Sequence, residues 1–282
     1  MKDIKAVFDI GNDSIKTVVF AKDDDQDLIL FKHIENTKGM RKGKILDSEQ
    51  FTETLGKIVE KIVQKLGGDF IDEVFIGISH PETIVRRISE QKRIMDNEIR
   101  ENDVDHLSRV VADVALQTNY ETIKILPVAW IIDDNKREKD PIGLKGKRLE
   151  LIADAFMIPK SFYNSIIEAF DTIGLSIVDI IPNIIASSEI VLDYDRKDLG
   201  TILLDIGKNQ TSYAIFEDGY CLGYGNIPLG GEDVTKDISI GMQIDIKEAE
   251  EIKTINGLSM LASDKKSKET LDLHFLTDII GA

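Results

Sequence analysis

One cysteine, Cys221, is all the thiol this 282-residue chain has, so an internal disulfide is excluded. Nothing around it marks a nucleophile, and a packed thiol is its expected role. Histidine is nearly as scarce: His33, His80, His106 and His274 are scattered, and none sits at metal-ligand spacing, which argues against a zinc site. Positive charge is short as well. With 35 Lys and Arg against 51 Asp and Glu, the formal charge is −16. Neutralising phosphates along a nucleic acid needs clustered Lys and Arg, so that partner class is set aside, and the acidity serves solubility. The basic run Arg-Lys-Gly-Lys at 41–44 is too short for a lipid or nucleic-acid patch and reads as a turn before a helix. Long apolar runs are missing too. No stretch spans a bilayer, and the N-terminus enters a strand pattern without a signal-peptide core, so a cytoplasmic location is expected. Asn209-Gln210-Thr211 matches a glycosylation acceptor, by chance in the absence of a secretory signal.

What is present is an alternation of strands and helices long enough for two domains. Strands are expected over 4–10, 15–21 and 27–34, with the acidic 22–27 as a turn. Phe51, Leu55, Ile58, Val59, Ile62, Val63 and Leu66 fall at 3–4 spacing, which predicts a helix over 48–66, capped by Asp47 or Ser48 and stopped by Gly67-Gly68. A strand at 73–78 completes a mixed α/β layer. The next stretch differs: a strand at 82–94, a helix from Asn102-Asp103 to about Gln117, and strands at 122–133 and 147–158. It reads as a small α+β unit inserted over 79–158, with lone Trp130 in its core. The first domain resumes with a helix at 161–173, a strand at 175–181 and a helix from Pro182-Asn183 to about Leu192. Residues 194–200 link to three strands over 200–229, and helices follow at 232–240 and from Asp245 to about Asn256. The end, "LHFLTDIIGA", reads as a helix start with little after it to pack against, so a chain cut inside its second domain is expected.

Two segments repeat. "VFDIGNDSIKTVVF" (7–20) and "LLDIGKNQTSYAIF" (203–216) each run an apolar strand into Asp-Ile-Gly, a polar turn and a second strand. Glycine after the aspartate lets backbone N–H groups approach an anion without a Cβ in the way. An aspartate at the turn entrance suits a hydrated Mg²⁺, which keeps its waters and takes few carboxylates. Lys16 is placed to reach back to a phosphate oxygen. A single Asp-Ile-Gly turn is equally well a plain hairpin; the pair, each opening one half of the chain, is far more specific.

The pair resembles the two phosphate hairpins of the actin-like ATPase superfamily, and within it the chain resembles the bacterial cell-division family FtsA over essentially its whole length. The segments that carry this are "TKGMRKGKILD" (37–47), "LPVAWIIDD" with "KDPIGLKGKRLELIADAFMI" (126–158), "IIASSEIVL" (184–192), 199–242 and "AEEIKTINGLS" (249–259). The resemblance implies an actin-like (ribonuclease-H-like) α/β fold of two domains with a small α+β insertion in the first and an incomplete second. The expected division is 1–78 and 159–198 for the first domain, 79–158 for the insertion, and 199–282 for the second domain. It further implies ATP and Mg²⁺ as cofactors. Asp9, Gly11, Asn12 and Lys16 fall in the first phosphate hairpin, and Asp205 and Gly207 in the second. Asp9 and Asp205 hold the metal through water. Gly230 and Gly231 precede a helix whose N-terminus faces phosphate, and Glu250 and Lys253 contact the nucleoside from one helix face. Without the family, that last pair reads as a surface ion pair.

The second hairpin departs from the family pattern. Lys208, Asn209 and Gln210 stand where Gly, Gly and Thr are expected, and Ser212 where an Asp follows. Lys208 either supplies positive charge to a phosphate or points into solvent. No catalytic residue is assigned, and ATP hydrolysis is expected to be slow or absent. The family's further roles carry over as expectations: polymerisation, binding of the FtsZ C-terminal tail on a subdomain beginning near residue 236, contacts of the insertion with itself and with later division proteins, and membrane attachment through a C-terminal end beyond this sequence. The alternatives are a pilus-assembly adaptor of the PilM kind, a nucleotide-free scaffold, and a small-molecule kinase of the same superfamily, for whose base the insertion offers Asp133, Asp134 and Asp140 in a loop with Lys and Arg that reads as solvated surface.

Overall fold

The structure, a computed structural model, describes residues 3–23, 26–67, 71, 73–134 and 136–263. Gly68, the centre of the acidic turn at 24–25, and the C-terminal segment read as a helix start lie outside the described residues. The described residues fall into two compact units, one up to Gly231 and the other from Glu232 on.

The first unit opens on β1 (Asp3–Ile10), β2 (Ser14–Asp23) and β3 (Gln26–Asn36). A ribbon of β4 (Met40–Arg41) and β5 (Lys44–Ile45) follows, then α1 (Ser48–Lys65) and β6 (Glu73–Ile78). The ribbon turns on Lys42 and Gly43, both at positive φ (49° and 73°), as a two-residue hairpin of right twist requires. The turn expected at 41–44 is thus a short ribbon, which a lysine in that conformation does not signal. Asp47 is the cap of α1: its Oδ1 accepts from Gln50 N at 3.0 Å. Gly67, at φ 72°, follows the helix end.

β7 (Ile84–Arg93), α2 (Glu101–Val114), β8 (Tyr120–Ile132), β9 (Lys136–Glu138) and β10 (Arg148–Pro159) make the separate α+β unit. Its sheet has the order β7-β10-β8-β9. α2 covers it, with Leu107 and Val111 packed against Trp130, Leu149 and Leu151. α2 ends at Val114, short of the expected Gln117, because Gln117 already bridges to Tyr120 at the entry to β8.

The chain returns through α3 (Lys160–Thr172), β11 (Ser176–Pro182), α4 (Asn183–Val191) and α5 (Tyr194–Leu199). The linker read at 194–200 is thus a helical turn, nucleated by Asp193 Oδ1 accepting from Arg196 N at 2.9 Å. β12 (Thr201–Ile206), β13 (Thr211–Glu217) and β14 (Tyr220–Ile227) form an antiparallel meander. The first sheet has the order β11-β6-β1-β2-β3, parallel across β11-β6-β1 and antiparallel beyond. α1 and α3 bury its core, where Phe8 meets Phe170 edge-to-face at 5.4 Å.

β10 threads all three cores of the first unit. Leu149, Leu151, Ala153 and Ala155 pack in the inserted sheet, Ile158 under the first sheet, and Phe156 in a third cluster with Ile184, Ile185, Ala214, Phe216 and Cys221. Both faces of its last half are therefore buried, and Asp154, the one charged residue among them, is paired with Arg87 at 2.8 Å. Cys221 is packed there, and burial pushes its thiol up to about 11, out of reach of nucleophilic chemistry.

The second unit holds most of α6 (Gly231–Met242) and all of α7 (Ile246–Ser263). Asp245 Oδ1 caps α7, accepting from Lys247 N at 2.8 Å and Glu248 N at 2.9 Å. α7 runs past the expected Asn256. No described helix is long and apolar enough to cross a membrane.

Candidate functional site

Both Asp-Ile-Gly hairpins open onto one cavity of about 150 Å³ in the first unit. In the first, β1 and β2 pair Asp9 with Lys16 and Ile10 with Ile15, and Gly11 N donates to Ser14 O at 3.2 Å. A Cβ on Gly11 would stand 2.8 Å from Ser14 O, so the turn closes only on glycine. In the second, β12 and β13 pair Asp205 with Ser212, and Gly207 N donates to Gln210 O at 2.9 Å. The two turns are close in construction although their sequences differ after the glycine.

Of the residues expected at the site, Asp9, Gly11, Asn12, Lys16, Asp205 and Gly207 all line this cavity. Lys16 Nζ lies 3.2 Å from Asp9 Oδ2. Burial first, and the Asp9 carboxylate second, push Asp205 above the ordinary carboxylate range, with Lys16 opposing them. The two carboxylates thus share one cavity and feel one another's charge. Asn12 Oδ1 accepts from Gly43 N at 2.6 Å, which ties the first turn to the β4–β5 ribbon. Gly230 and Gly231 belong to the second hairpin's surroundings. Gly231 N donates to Gly207 O at 2.9 Å, and a Cβ on Gly230 would stand 2.5 Å from Lys208 O. Glu250 and Lys253 lie on α7 in the second unit, where Lys253 Nζ is 2.6 Å from Glu250 Oε2 and 2.9 Å from Thr235 Oγ1.

Asn183 and Asp13 line the cavity without having been legible as site residues, and Lys208, Gln210 and Ser212 of the second hairpin line it with them. Asn183, the first residue of α4, donates Nδ2 to Asp9 Oδ1 at 2.8 Å and fixes that carboxylate. Gly77 on β6 makes room for it: any Cβ at Gly77 would overlap Asn183 Oδ1. Asp13 accepts from Lys208 Nζ at 2.8 Å, so Lys208 joins the two hairpins rather than pointing into solvent. Gln210 is 5 % exposed, and neither its Oε1 nor its Nε2 has a hydrogen-bond partner. Ser212 Oγ donates to Asn226 Oδ1 at 2.7 Å.

These features suit a magnesium nucleotide. The glycine turns admit close approach by an anion, the two carboxylates favour a cation, and a buried amide awaits a polar partner. No group of three or more His, Cys, Asp and Glu with metal-binding geometry occurs among the described residues. A cation here would lean on water and phosphate oxygens, as Mg²⁺ does. Asp133, Asp134 and Asp140, the kinase candidates, are committed to local structure. Asp133 Oδ1 accepts from Lys147 N and Arg148 N, both at 2.9 Å, Asp134 pairs with Arg148, and Asp140 Oδ1 accepts from Ile142 N at 3.0 Å.

His80, between β6 and β7, carries a pH prediction. Burial lowers its pKa from 6.5 to about 4. Its Nδ1 accepts from Glu82 N at 3.1 Å, and its ring packs 4.5 Å from Phe162. The unfolded histidine takes a proton near pH 6.5, and the folded one only near 4. The neutral ring's contribution is therefore whole above 6.5 and drains away as pH falls towards 4. Urea unfolding at pH 7 and pH 5 should show the parent losing more stability over that interval than His80→Gln; equal losses would refute it.

Two family models match the chain: "Cell division protein FtsA" over residues 202–277 and "SHS2 domain inserted in FTSA" over residues 81–156. The FtsA protein of Bacillus subtilis (strain 168) is 28 % identical over 251 residues, covering 87 % of this chain and 56 % of that protein. That of Enterococcus hirae is 28 % identical over 277 residues, covering 97 % and 61 %. The chain thus spans a little over half the length of these relatives. Among solved structures, the PilM-PilN type IV pilus biogenesis complex is similar at a TM-score of 0.63 and 16 % identity, over 90 % of this chain and 70 % of that one. The ethanolamine utilization protein EutJ of Carboxydothermus hydrogenoformans is similar at 0.53 and 14 %, over 91 % and 63 %. The structural likenesses speak for the fold alone, which is actin-like with an inserted α+β domain.

Proposed function

From the membership of this chain in the FtsA family of bacterial cell-division proteins, we propose that its two Asp-Ile-Gly hairpins bind ATP with Mg²⁺ and that the nucleotide switches its assembly at cell division. The observation that carries this is the pair Asp9 and Asp205 in one cavity between two glycine turns, with burial first and the Asp9 carboxylate second holding Asp205 above the ordinary carboxylate range. Asp9 and Asp205 would hold a hydrated Mg²⁺ through its waters, and the ion would supply positive charge to the phosphates. Lys16 would lie beside the phosphates, and Asn183 would keep Asp9 turned towards the cation. In this reading residues 79–158 are the assembly and partner-binding domain, and the whole protein polymerises and links FtsZ to the membrane.

Hydrolysis is expected to be slow or absent. The hydroxyl of Ser212 stands where the family pattern has a carboxylate, and it is spent on Asn226. A serine hydroxyl is no general base at neutral pH. The site would then read the nucleotide rather than consume it.

Calorimetric titration of the full chain with ATP, with and without Mg²⁺, tests the reading. Binding should depend on Mg²⁺, and Asp205→Asn should abolish that dependence while leaving the fold intact by circular dichroism. No affinity at millimolar ATP–Mg²⁺ would leave a nucleotide-free scaffold as the remaining explanation.

A further inference from the structure

We propose that the second hairpin grips the terminal phosphate with side chains instead of glycine backbone: Lys208, released from Asp13, and the buried amide of Gln210. The inference rests on the nucleotide reading above and names the residues by which this chain would tell a triphosphate from a diphosphate.

Lys208 and Gln210 both line the cavity that Asp9, Lys16 and Asp205 share. The Gln210 side chain is not needed to build the turn, because the turn is closed by its backbone oxygen accepting from Gly207 N at 2.9 Å. Yet the side chain is nine-tenths buried and its amide has no partner among the described residues. A buried amide in that state carries an unreturned desolvation cost. Turned into the cavity, the amide would recover that cost from a group offering both acceptor and donor atoms, and a phosphate with its hydration shell offers both.

Lys208 supplies the charge. Its ammonium lies 2.8 Å from Asp13 Oδ1, and the two side chains are 43 % and 68 % exposed. An exposed ion pair of this kind is weak. The terminal phosphate of a triphosphate carries more negative charge than one carboxylate and offers three acceptor oxygens, so it outcompetes Asp13 for the ammonium. The phosphate chain of a diphosphate is one group shorter, and Lys208 then stays on Asp13. The contact between the hairpins is therefore a latch that opens for one nucleotide and not for the other.

The test is affinity for ATP–Mg²⁺ and ADP–Mg²⁺, measured in parallel for the parent, Lys208→Ala, Lys208→Arg, Asp13→Asn and Gln210→Leu. Lys208→Ala should weaken ATP about tenfold and ADP less than about twofold, and Lys208→Arg should restore most of the difference. Asp13→Asn removes the competitor and keeps the backbone oxygen that accepts from Thr37 N, so it should tighten ATP a few-fold. Gln210→Leu should weaken ATP and raise the melting temperature of the free protein, because it deletes an unsatisfied buried amide. If Lys208→Ala weakens both nucleotides equally, or Asp13→Asn weakens ATP as Lys208→Ala does, the latch is only structural and the proposal is wrong. A parent that binds neither nucleotide overturns the nucleotide reading itself, a result distinct from variants that leave the ATP-to-ADP ratio unchanged.

Discussion

Phe156→Ala is expected to destabilise the first unit by about 3–5 kcal/mol, a large share of the roughly 5–15 kcal/mol that holds a domain together. Phe156 is 1 % exposed and meets Tyr224 edge-to-face at 4.7 Å. It comes from β10 of the inserted sheet, yet its neighbours Ile184, Ile185, Ala214 and Phe216 belong to α4 and β13. Its ring is the apolar body where the inserted sheet, the helix behind the first hairpin and the strand of the second hairpin meet. Alanine leaves a cavity there that three elements anchored elsewhere cannot close. The loss should appear as a lower urea midpoint with an unchanged slope. Phe156→Leu keeps most of the volume and should cost less than about 2 kcal/mol. Equal costs for the two variants would show that the junction is loosely filled.

Gly39→Ala is the other large effect, expected at about 3 kcal/mol, with loss of nucleotide binding. Gly39 sits at φ 75°, where a Cβ is strained whatever the space. Here there is no space either: the new carbon would overlap Asp47 O and lie 2.7 Å from Phe51 N. Both are backbone atoms at the start of α1, and Phe51 is fully buried. Gly39 O also accepts from Leu46 N at 2.8 Å and Asp47 N at 3.1 Å. The loop that Gly39 folds is the one that supports the first hairpin, through Thr37 Oγ1 on Gly11 O at 2.7 Å and Gly43 N on Asn12 Oδ1 at 2.6 Å. A thermal melt should move down by roughly 6–12 °C. A melt within about 2 °C of the parent would show that the loop yields without cost.

Much of this architecture was legible because it is written locally. The apolar spacing of α1, its Asp47 cap and its Gly67 stop are properties of one stretch of chain. The same is true of the alternation that marks the meander after Gly200. The two hairpins could be matched to each other because each turn is complete within a dozen residues. What escaped was written across the chain. Asn183 reaches Asp9 over 174 positions, and Lys208 reaches Asp13 over 195. Neither contact has a periodicity or a spacing from which to infer it. Lys208 was left between a phosphate ligand and a solvent-facing lysine because its real partner is on the other hairpin. The ribbon at 40–45 and the helical turn at 194–199 escape for a different reason: each is too short to show a pattern, and each turns on one residue, Lys42 at positive φ or Asp193 as a cap.

The pairing of Ile84 with Met157 has a consequence for how the chain is assembled in time. The central sheet must join β6 to β11, with the whole inserted unit between them in sequence. Were that unit unfolded, a long loop would have to close before the pairing formed. Once β7 lies against β10, however, the chain leaves the inserted sheet almost where it entered. The detour then contributes almost no closure entropy, and β6, α3 and β11 can assemble as if consecutive. Folding of the insertion should come first, and during synthesis it would be complete while the second hairpin is still inside the ribosome.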